Sequence, residues 1–331
     1  MLKKILVFEF ITGGGLAQQE LPESLAREGQ LMLMALLNEL VMLSSVKISV
    51  LLDWRCQQLE LPEAIEVVWV SKQHNVYDLL PALIERSDCV WPIAPEIGGE
   101  LEKISLLVEQ NSKQLLNSSA EAVQVCSDKL MTAQLLKRHG IAVVETSVLD
   151  ASSVAQFQPC IIKPKDGAGC LNCYLLTNDN DFKRIVDSIK IKSDYVIQPY
   201  IKGDTLSLCC LFNNGKACLL CCNQQLISIN QGRFELDACV VNSTNENTDV
   251  YQSLIDQIAK AIPGLWGYVG IDIIHTEDDQ ALIVEINSRL TTSYVGVFQA
   301  IGVNVAKQVF EMTDEEPKII TTKNKQIIVT V

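Results

Sequence analysis

Two acidic residues and an asparagine are spaced so that their side chains could bind a metal ion on one face of a β-hairpin. Asp272 lies in one apolar run, and Glu285 and Asn287 lie in the next, with a short polar stretch between them. If residues 277–280 form the loop, Asp272 lies opposite Glu285, and side-chain alternation places Asn287 on the same face. Facing carboxylates destabilise a strand pair unless a positive charge lies between them. Oxygen ligands from so few residues suit Mg²⁺, which completes its coordination with water and substrate phosphates.

The same face of the hairpin also carries a cation, because Arg289 follows Asn287 by two positions. This arginine could reach phosphate groups that share the metal ion. The alternative is a structural hairpin whose charged side chains are solvated at its rim. A phosphate-binding element elsewhere in the chain would favour the metal site over that alternative.

A glycine-rich loop follows a buried strand that ends at Lys163, and it contains Asp166, Gly167 and Gly169. Glycines allow backbone N–H groups to converge on an anion, and the lysine adds a compact positive charge. The loop therefore predicts a phosphate site. It is not a P-loop, because G-K-[ST] is missing and a strand follows instead of a helix. The alternative is a glycine-rich hairpin turn.

Two further segments have features that a ligand would explain. Lys129 lies in the first turn of a predicted helix, where the helix dipole favours acids, so a nearby anion would account for it; a solvated surface lysine is the alternative. Pro199 interrupts a strand and removes a backbone donor. Carbonyl groups at that strand edge would then remain free to accept a hydrogen bond from a ligand such as an adenine amino group.

The elements that must position these residues change character along the chain. In the first part apolar strands alternate with helices, which predicts a parallel sheet covered by helices. Glu9 and Glu96 follow such strands, at the carboxyl ends where ligands bind. Later strands are joined by hairpins and predict an antiparallel α+β structure. The predicted domains are an N-terminal α/β domain, a small central domain and a C-terminal domain, at residues 1–117, 118–199 and 200–331.

Gly13, Gly14 and Gly15 follow the first strand but do not form the G-x-G-x-x-G fingerprint of a dinucleotide site. We interpret this loop as a wall of the substrate site, with a structural turn as the alternative. The chain also has 12 cysteines, including the C-x-x-C pairs 170/173 and 218/221. That spacing occurs in zinc ribbons, but most of these cysteines lie in apolar runs. Core packing is therefore favoured over zinc.

Composition limits the classes of partner. The chain has 331 residues and a formal net charge of −13. Its length allows several domains, and its acidity disfavours nucleic acid or an anionic membrane as the main partner. There is no signal-peptide pattern and no apolar run of membrane-spanning length, so we expect a cytoplasmic protein.

Four segments, in this order, resemble the ATP-grasp superfamily over about residues 117–300: Lys129, Lys163 with its glycine-rich loop, residues 198–203, and the hairpin that ends at Arg289. The resemblance implies an ATP-grasp fold of mixed α/β and α+β class. It would have an N-terminal pre-ATP-grasp domain with a parallel sheet, a small central lid domain and a C-terminal, mostly antiparallel α+β domain.

The resemblance also implies a role for each motif. Lys129 and Lys163 would hold the α and β phosphates of ATP, and the glycine-rich loop would close over them as a lid. Arg289 would steady the transferred phosphoryl group. The residues implied to bind adenine are Gln198, Pro199, Tyr200 and Ile201. The ligands of Mg²⁺, with Mn²⁺ as an alternative, are Asp272, Glu285 and Asn287. Thr205 stands where the family commonly has a ribose-binding glutamate, so that role would fall to the adjacent Asp204.

N-terminal segments around Glu9, Glu28 and Glu96, and the run from Glu285 to Gly296, are similar to a subgroup that includes tyramine–L-glutamate ligases of methanofuran biosynthesis. This similarity implies that ATP activates a carboxylate as an acyl phosphate, which an amine attacks to form an amide. Glutamate with tyramine or tyrosine would be the small-molecule substrates. Glu9 or Glu96 could hold the incoming ammonium. The residues that could bind the substrate carboxylate are Thr291, Thr292 and Ser293.

Two other functions remain open at the level of sequence. One is a different ATP-grasp reaction, such as peptide ligation, amino-acid ligation or carboxylation of another small acid. The other is a non-catalytic nucleotide-binding protein that has kept the fold. The complete set of metal-binding and phosphate-binding residues disfavours the second. A homodimer is compatible with each of these functions.

Overall fold

A computed structural model describes residues 2–150, 159–167, 169–244, 247–312 and 319–330, with the side chain of residue 179 excepted. The strands are β1 (Lys3–Glu9), β2 (Val46–Asp53), β3 (Ile65–Val70), β4 (Cys89–Ile93), β5 (Gln114–Leu115), β6 (Ser147–Val148), β7 (Cys160–Pro164), β8 (Tyr174–Leu176), β9 (Tyr195–Pro199), β10 (Asp204–Asn213), β11 (Lys216–Asn230), β12 (Arg233–Thr244), β13 (Gly267–His275), β14 (Ala281–Asn287) and β15 (Ile327–Thr330). The helices are α1 (Glu23–Leu40), α2 (Val76–Glu85), α3 (Glu100–Gln110), α4 (Ala120–Ser127), α5 (Lys129–Arg138), α6 (Asp179–Ser188), α7 (Thr248–Ala261), α8 (Tyr294–Ile301) and α9 (Val305–Glu311).

The N-terminal part forms the predicted parallel sheet, with strand order β3-β2-β1-β4-β5. The last five residues of β1 and all of β4 are buried, because helices cover both faces of a parallel sheet. Glu9 ends β1, and Glu96 follows β4 by three positions. Both acids therefore lie at the carboxyl edge of the sheet, as predicted.

The rest of the chain forms a ten-stranded sheet in the order β14-β13-β10-β11-β12-β8-β7-β9-β6, with β15 paired to β12. Its strand pairs are antiparallel. The pair of Arg233 and Tyr174 joins β12 to β8. The small sheet of β6 to β9, which we call the lid sheet, is thus attached to the larger sheet through a single residue pair. This arrangement suits a lid, and the three domain boundaries remain a prediction.

Several local predictions were wrong in detail. The runs 217–223 and 226–229 were expected to be separate strands, but β11 continues through both with irregular register near Cys222. Of the strand expected at 143–149, only β6 and one bridge at Val143 form. β15 was not predicted. The link expected at residues 151–157 lies outside the described residues.

The glycines at positions 13–15 have a packing role. They form a single π-helical turn after β1. A Cβ on Gly14, whose φ is +92°, would lie 2.5 Å from the side chain of Val70, and one on Gly15 would lie 2.5 Å from the Phe10 ring. The interpretation of these glycines as a substrate wall is therefore wrong, because they pack against side chains of the N-terminal sheet.

Nine of the 12 cysteines are buried, and the other three are partly buried. Within the described residues, no group of three or more His, Cys, Asp or Glu side chains is arranged to hold a metal ion. The helices of that same part of the chain include none that is long and apolar enough to cross a membrane.

Candidate functional site

The β13–β14 hairpin pairs Asp272 with Glu285, as predicted, although the predicted loop is one residue too short. His275 pairs with Ala281, and the register then shifts by one residue between Asp272 and Ile273. A β-bulge adds a residue to one strand and changes which residues face each other. The bulge compensates for the longer loop, and Asp272 and Glu285 become opposed.

Two lysines from different elements approach Glu285. Lys129 begins α5, whose N-cap Asp128 accepts backbone hydrogen bonds from Leu130 and Met131. Nζ of Lys129 lies 3.1 Å from Oε2 of Glu285 and donates to the Gly167 carbonyl at 2.7 Å. Lys163 reaches the same place from β7, and both lysines are buried. The predicted phosphate-binding residues and one predicted metal ligand therefore share one site.

The buried charges determine the pKa values of these groups. Burial alone would raise the pKa of Glu285, but the attraction of Lys129 and then of Lys163 outweighs it and lowers that pKa to about 2. Burial lowers the pKa of Lys163, whereas the carboxylate of Glu285 outweighs burial and raises the pKa of Lys129. Glu285 is consequently an anion between two cationic side chains, the electrostatic setting of a polyphosphate site.

The pKa of Asp272 is shifted in the opposite direction from that of Glu285. Burial and then the repulsion of Glu285 raise its pKa to about 8. Its Oδ1 accepts a hydrogen bond from the Gln225 amide at 3.0 Å, and its Oδ2 accepts one from the Asn287 amide at 3.1 Å. A divalent cation would relieve the repulsion between the two carboxylates, so this all-oxygen set fits Mg²⁺. Because only two acids contribute, substrate phosphates would complete the coordination.

A cleft between the lid sheet and the large sheet contains these residues and encloses about 1310 Å³ of space, part of it open to solvent. Its polar lining includes the two lysines and the three predicted metal ligands. The cleft also has apolar walls, as an adenine ring requires. The apolar side chains include Val144, Ile161, Ile227, Phe234, Leu236 and Ile274.

The predicted nucleotide-binding residues are only partly brought together. Gln198 and Pro199 line the cleft, as do Lys163, Gly167 and Gly169. β9 is not an edge strand, because it pairs with both β7 and β6. β6 pairs only with Val196 and Ile197 of β9. The edge carbonyls expected at Pro199 can therefore exist only at Gln198 and Pro199, where β9 extends beyond β6.

Four predicted nucleotide-binding residues lie outside the set that lines the cleft: Asp166, Tyr200, Ile201 and Asp204. Asp166 accepts a hydrogen bond from the backbone N–H of Gly98 at 3.0 Å, so it connects the glycine-rich loop to the N-terminal domain. Asp204 is exposed at the start of β10, whereas its neighbour Thr205 lines the cleft and donates to the Gln225 carbonyl at 2.9 Å.

Arg289 and Glu96, predicted to have separate roles, form one buried ion pair. Nε of Arg289 donates to Oε1 of Glu96 at 2.9 Å, and Nη2 donates to Oε2 at 2.7 Å. Nη1 donates to the Leu290 carbonyl at 3.0 Å. Both carboxylate oxygens of Glu96 are therefore engaged, which leaves it poorly suited to hold an ammonium. Its contacts make it a positioning residue for Arg289, whose other N–H groups have no protein partner among the described residues.

The hydroxyls after the hairpin belong to a buried hydrogen-bond network. Thr291, Thr292 and Ser293 all line the cleft. The Tyr268 hydroxyl lies 2.9 Å from Oγ1 of Thr291 and donates to Sγ of Cys209 at 3.0 Å. Oγ1 of Thr291 in turn lies 3.0 Å from Oγ of Ser293. Gly270 leaves space for Thr291, because a Cβ there would lie 2.5 Å from the threonine methyl group.

A second, smaller cavity lies between β1, α1 and the segment after β4. Glu9 lines it and is buried, and burial raises its pKa to about 7 despite hydrogen bonds from Thr12 and Ile11. Gly29 makes room for this acid, because a Cβ there would lie 2.7 Å from the Glu9 carboxyl group. Glu28, from α1, lines both cavities and accepts a hydrogen bond from the Thr292 hydroxyl.

Glu28, Ser207 and Gln225 were missed as site residues by the sequence reasoning. Glu28 was noted only as part of a similar segment, because its contact with Thr292 depends on how α1 packs against the segment after β14. Ser207 and Gln225 lie in strands whose pairing brings them to Asp272, since Ser207 pairs with it directly. No local pattern marks these two residues, because their role depends on strand register.

Two family models match the chain. An ATP-grasp domain matches residues 126–293, about half of the chain, and a pre ATP-grasp 3 domain matches residues 46–123. A similar protein is the tyramine–L-glutamate ligase of Methanocaldococcus fervens, which is 25% identical over 297 residues, 88% of this chain and 89% of the relative.

Solved structures share the fold. An ATP-grasp superfamily protein from Archaeoglobus fulgidus has a TM-score of 0.71 at 23% identity and covers 99% of both chains. The biotin carboxylase domain of 2-oxoglutarate carboxylase from Hydrogenobacter thermophilus, solved with MgADP and bicarbonate, has a TM-score of 0.74 at 18% identity. That likeness covers 99% of this chain and 74% of the other.

Proposed function

The chain belongs to the ATP-grasp family and is an ATP-dependent carboxylate–amine ligase, and we propose that it joins L-glutamate to tyramine or tyrosine in the synthesis of a methanofuran-type coenzyme. The observation that carries this proposal is the meeting of Lys129, Lys163 and Glu285 in one cleft, with Arg289 at the border of a second cavity. The similarity to a tyramine–L-glutamate ligase supports the choice of substrates.

ATP binds in the cleft with adenine against the apolar side chains, beside Gln198 and Pro199, which also line it. Lys129 and Lys163 hold the phosphates, and the loop with Gly167 and Gly169 covers them. Asp272, Glu285 and Asn287 would hold Mg²⁺, which would supply charge neutralisation for the phosphoryl group. These residues act by positioning and electrostatics, so no protein nucleophile is required.

The carboxylate substrate binds between the phosphates and the hydroxyls of Thr291, Thr292 and Ser293. One of its oxygens attacks the γ-phosphorus of ATP, and ADP leaves with the electron pair of the broken P–O bond. Arg289 faces the transferred phosphoryl group with the N–H groups that neither Glu96 nor the Leu290 carbonyl engages. The product of this step is an acyl phosphate.

The amine nitrogen then attacks the acyl carbon. A C–N bond forms, the C–O bond to the phosphoryl group breaks, and inorganic phosphate leaves with the electron pair. Starting from an ammonium, one nitrogen proton leaves on the phosphate and the other passes to solvent. Closure of the lid sheet would protect the acyl phosphate from hydrolysis.

A coupled assay of ADP release tests the proposal. With L-glutamate and ATP, ADP release should require tyramine or tyrosine, and mass spectrometry should find the corresponding amide. A panel of other amino acids and amines in place of these substrates is the control. Release with another pair and not with glutamate would refute the proposed substrates, and release with bicarbonate alone would refute amide formation.

A further inference from the structure

The second cavity is lined by two acids, Glu9 and Glu28, by Arg289, and otherwise by apolar side chains and glycines. The apolar side chains are Ile11, Leu25, Met32, Ile93, Ala94 and Pro95. They come from the turn after β1, from α1 and from the end of β4 with its following loop. Three residues, Glu28, Gly169 and Arg289, line both this cavity and the nucleotide cleft. The two spaces therefore meet where the phosphoryl group is transferred.

Glu28 has one carboxylate oxygen in use and one available. The Thr292 hydroxyl donates to Oε1. Within the described part of the chain, no hydrogen-bond donor lies against Oε2. This oxygen faces Gly169, because a Cβ built on that glycine would lie 3.8 Å from it. Because Thr292 fixes the carboxylate, Oε2 is oriented at the junction of the two cavities.

The other charged groups of the cavity are less able to hold a cation. The Glu9 carboxyl already accepts the backbone N–H groups of Ile11 and Thr12. Both oxygens of Glu96 are engaged by Arg289. Glu28 is thus the carboxylate best placed to receive a charged ligand group from the apolar space.

We propose that this cavity binds the amine substrate, that Oε2 of Glu28 receives its ammonium group, and that the cavity selects amines with an apolar body and no α-carboxylate. The inference rests on the proposed ligase function and names the amine class that the site accepts. Its chemistry is that of an arylalkylamine or alkylamine, with the apolar body against the walls and the nitrogen at the junction, in reach of an acyl phosphate.

Selection against an α-carboxylate follows from the charges. A carboxylate adjacent to the amine would lie near Glu28 and Glu9, where like charges repel. Of the described residues that line the cavity, only Arg289 carries a positive charge, and it is already paired with Glu96. An amino-acid nucleophile would therefore bring a negative charge into a partly apolar space without a free counter-charge. Tyramine and tyrosine differ only by this carboxylate and so are suitable probes.

Amide formation by the full-length protein tests the selection. With saturating ATP and glutamate, kcat/KM for tyramine should exceed that for tyrosine by about tenfold or more, the effect of roughly one uncompensated charge contact. Equal values, or a preference for tyrosine, would overturn the inference even if the ligase function stands.

The anchor is tested with Glu28→Gln, whose amide oxygen can still accept from Thr292. The KM for tyramine should rise roughly tenfold. Hydroxylamine traps the acyl phosphate as a hydroxamate. The factor by which the variant slows hydroxamate formation should be at least five times smaller than the factor by which it slows tyramine ligation. Glu23→Gln, an exposed acid on the same helix, is the matched control and should match wild type. Equal losses in both assays would contradict an ammonium anchor.

Equilibrium binding separates this inference from the proposed function. Tyramine titrated into the protein with MgADP should bind more weakly to Glu28→Gln than to wild type or Glu23→Gln. If binding depends on Glu28 but no hydroxamate or amide forms with glutamate, the amine cavity stands and the proposed reaction falls. If tyramine binds all three proteins equally, or binds none of them, the amine cavity is refuted.

Discussion

Glu96, in the N-terminal domain, holds Arg289, which follows the β13–β14 hairpin, through two parallel hydrogen bonds of 2.9 and 2.7 Å. The two residues lie 193 positions apart in the chain, and both are buried. A bidentate carboxylate fixes the plane of a guanidinium as well as its place. The arginine that we propose to face the phosphoryl group is therefore oriented by a domain that contributes none of the proposed metal ligands.

Glu96→Gln should lower kcat more than it raises the KM for ATP. The amide can accept one hydrogen bond but cannot neutralise the guanidinium, and loss of one partner of a buried ion pair costs on the order of 3 kcal/mol of stability. We expect kcat to fall about tenfold or more, the cost of a misplaced charged group. Steady-state kinetics checks this, with the exposed Glu121→Gln as control. An unchanged kcat would show that Arg289 needs no support from Glu96.

Lys129→Met should weaken ATP binding. The lysine is buried and its ammonium lies 3.1 Å from Glu285, so the variant loses a cation from the place where we propose that the phosphates bind. A charged hydrogen bond contributes roughly 1.5–3 kcal/mol, which corresponds to a Kd about ten to a hundred times higher. Titration of MgADP by calorimetry measures the change. Lys137→Met, on the same helix but exposed, should leave Kd unaltered; a similar effect of both variants would exclude a specific role for Lys129.

Tyr268→Phe should affect the carboxylate substrate and spare the nucleotide. The phenol hydroxyl contacts Thr291 and Cys209, so its removal frees the hydroxyls that line the cleft. Loss of one hydrogen bond predicts a KM for glutamate about three to ten times higher. The matched control is Tyr251→Phe, whose hydroxyl contacts His275 on another part of the sheet. If the KM for ATP rose as much as that for glutamate, the network would have only a structural role.

The stability of the protein should fall as pH rises towards 8. Glu39 is buried in α1 and accepts a hydrogen bond from the Ala306 N–H at 2.8 Å, yet burial raises its pKa to about 7 from the ordinary 4.5. Between these two values the folded state binds the proton more tightly than the unfolded state does, so the free energy of unfolding decreases with increasing pH and levels off above pH 7.

Glu39→Gln removes this titration. Urea unfolding at several values of pH should give a smaller decrease between pH 5 and pH 8 for the variant than for wild type, by roughly 1–3 kcal/mol. Glu23→Gln, exposed on the same helix, should retain the wild-type slope. Parallel pH profiles for wild type and Glu39→Gln would contradict a raised pKa for Glu39.

Local patterns in the sequence predicted the β13–β14 hairpin and the pairing of Asp272 with Glu285, but that pairing forms only because a β-bulge offsets the error in loop length. A lysine before a glycine-rich loop predicts a phosphate site, and this role remains a prediction. The pairing of Glu96 with Arg289 was not predictable, because it depends on how two separate sheets pack. Glu28 was missed for a similar reason: a helix position acquires its role only when Thr292 contacts it.

Isotope transfer shows whether the cleft uses ATP to activate a carboxylate. L-Glutamate with oxygen-18 in its carboxyl groups should be supplied with ATP, Mg²⁺ and tyramine, and the released phosphate analysed by mass spectrometry. An acyl phosphate intermediate predicts one labelled oxygen in each phosphate, because the bond broken during amide formation lies between carbon and oxygen. Amide formation with unlabelled phosphate would exclude an acyl phosphate intermediate.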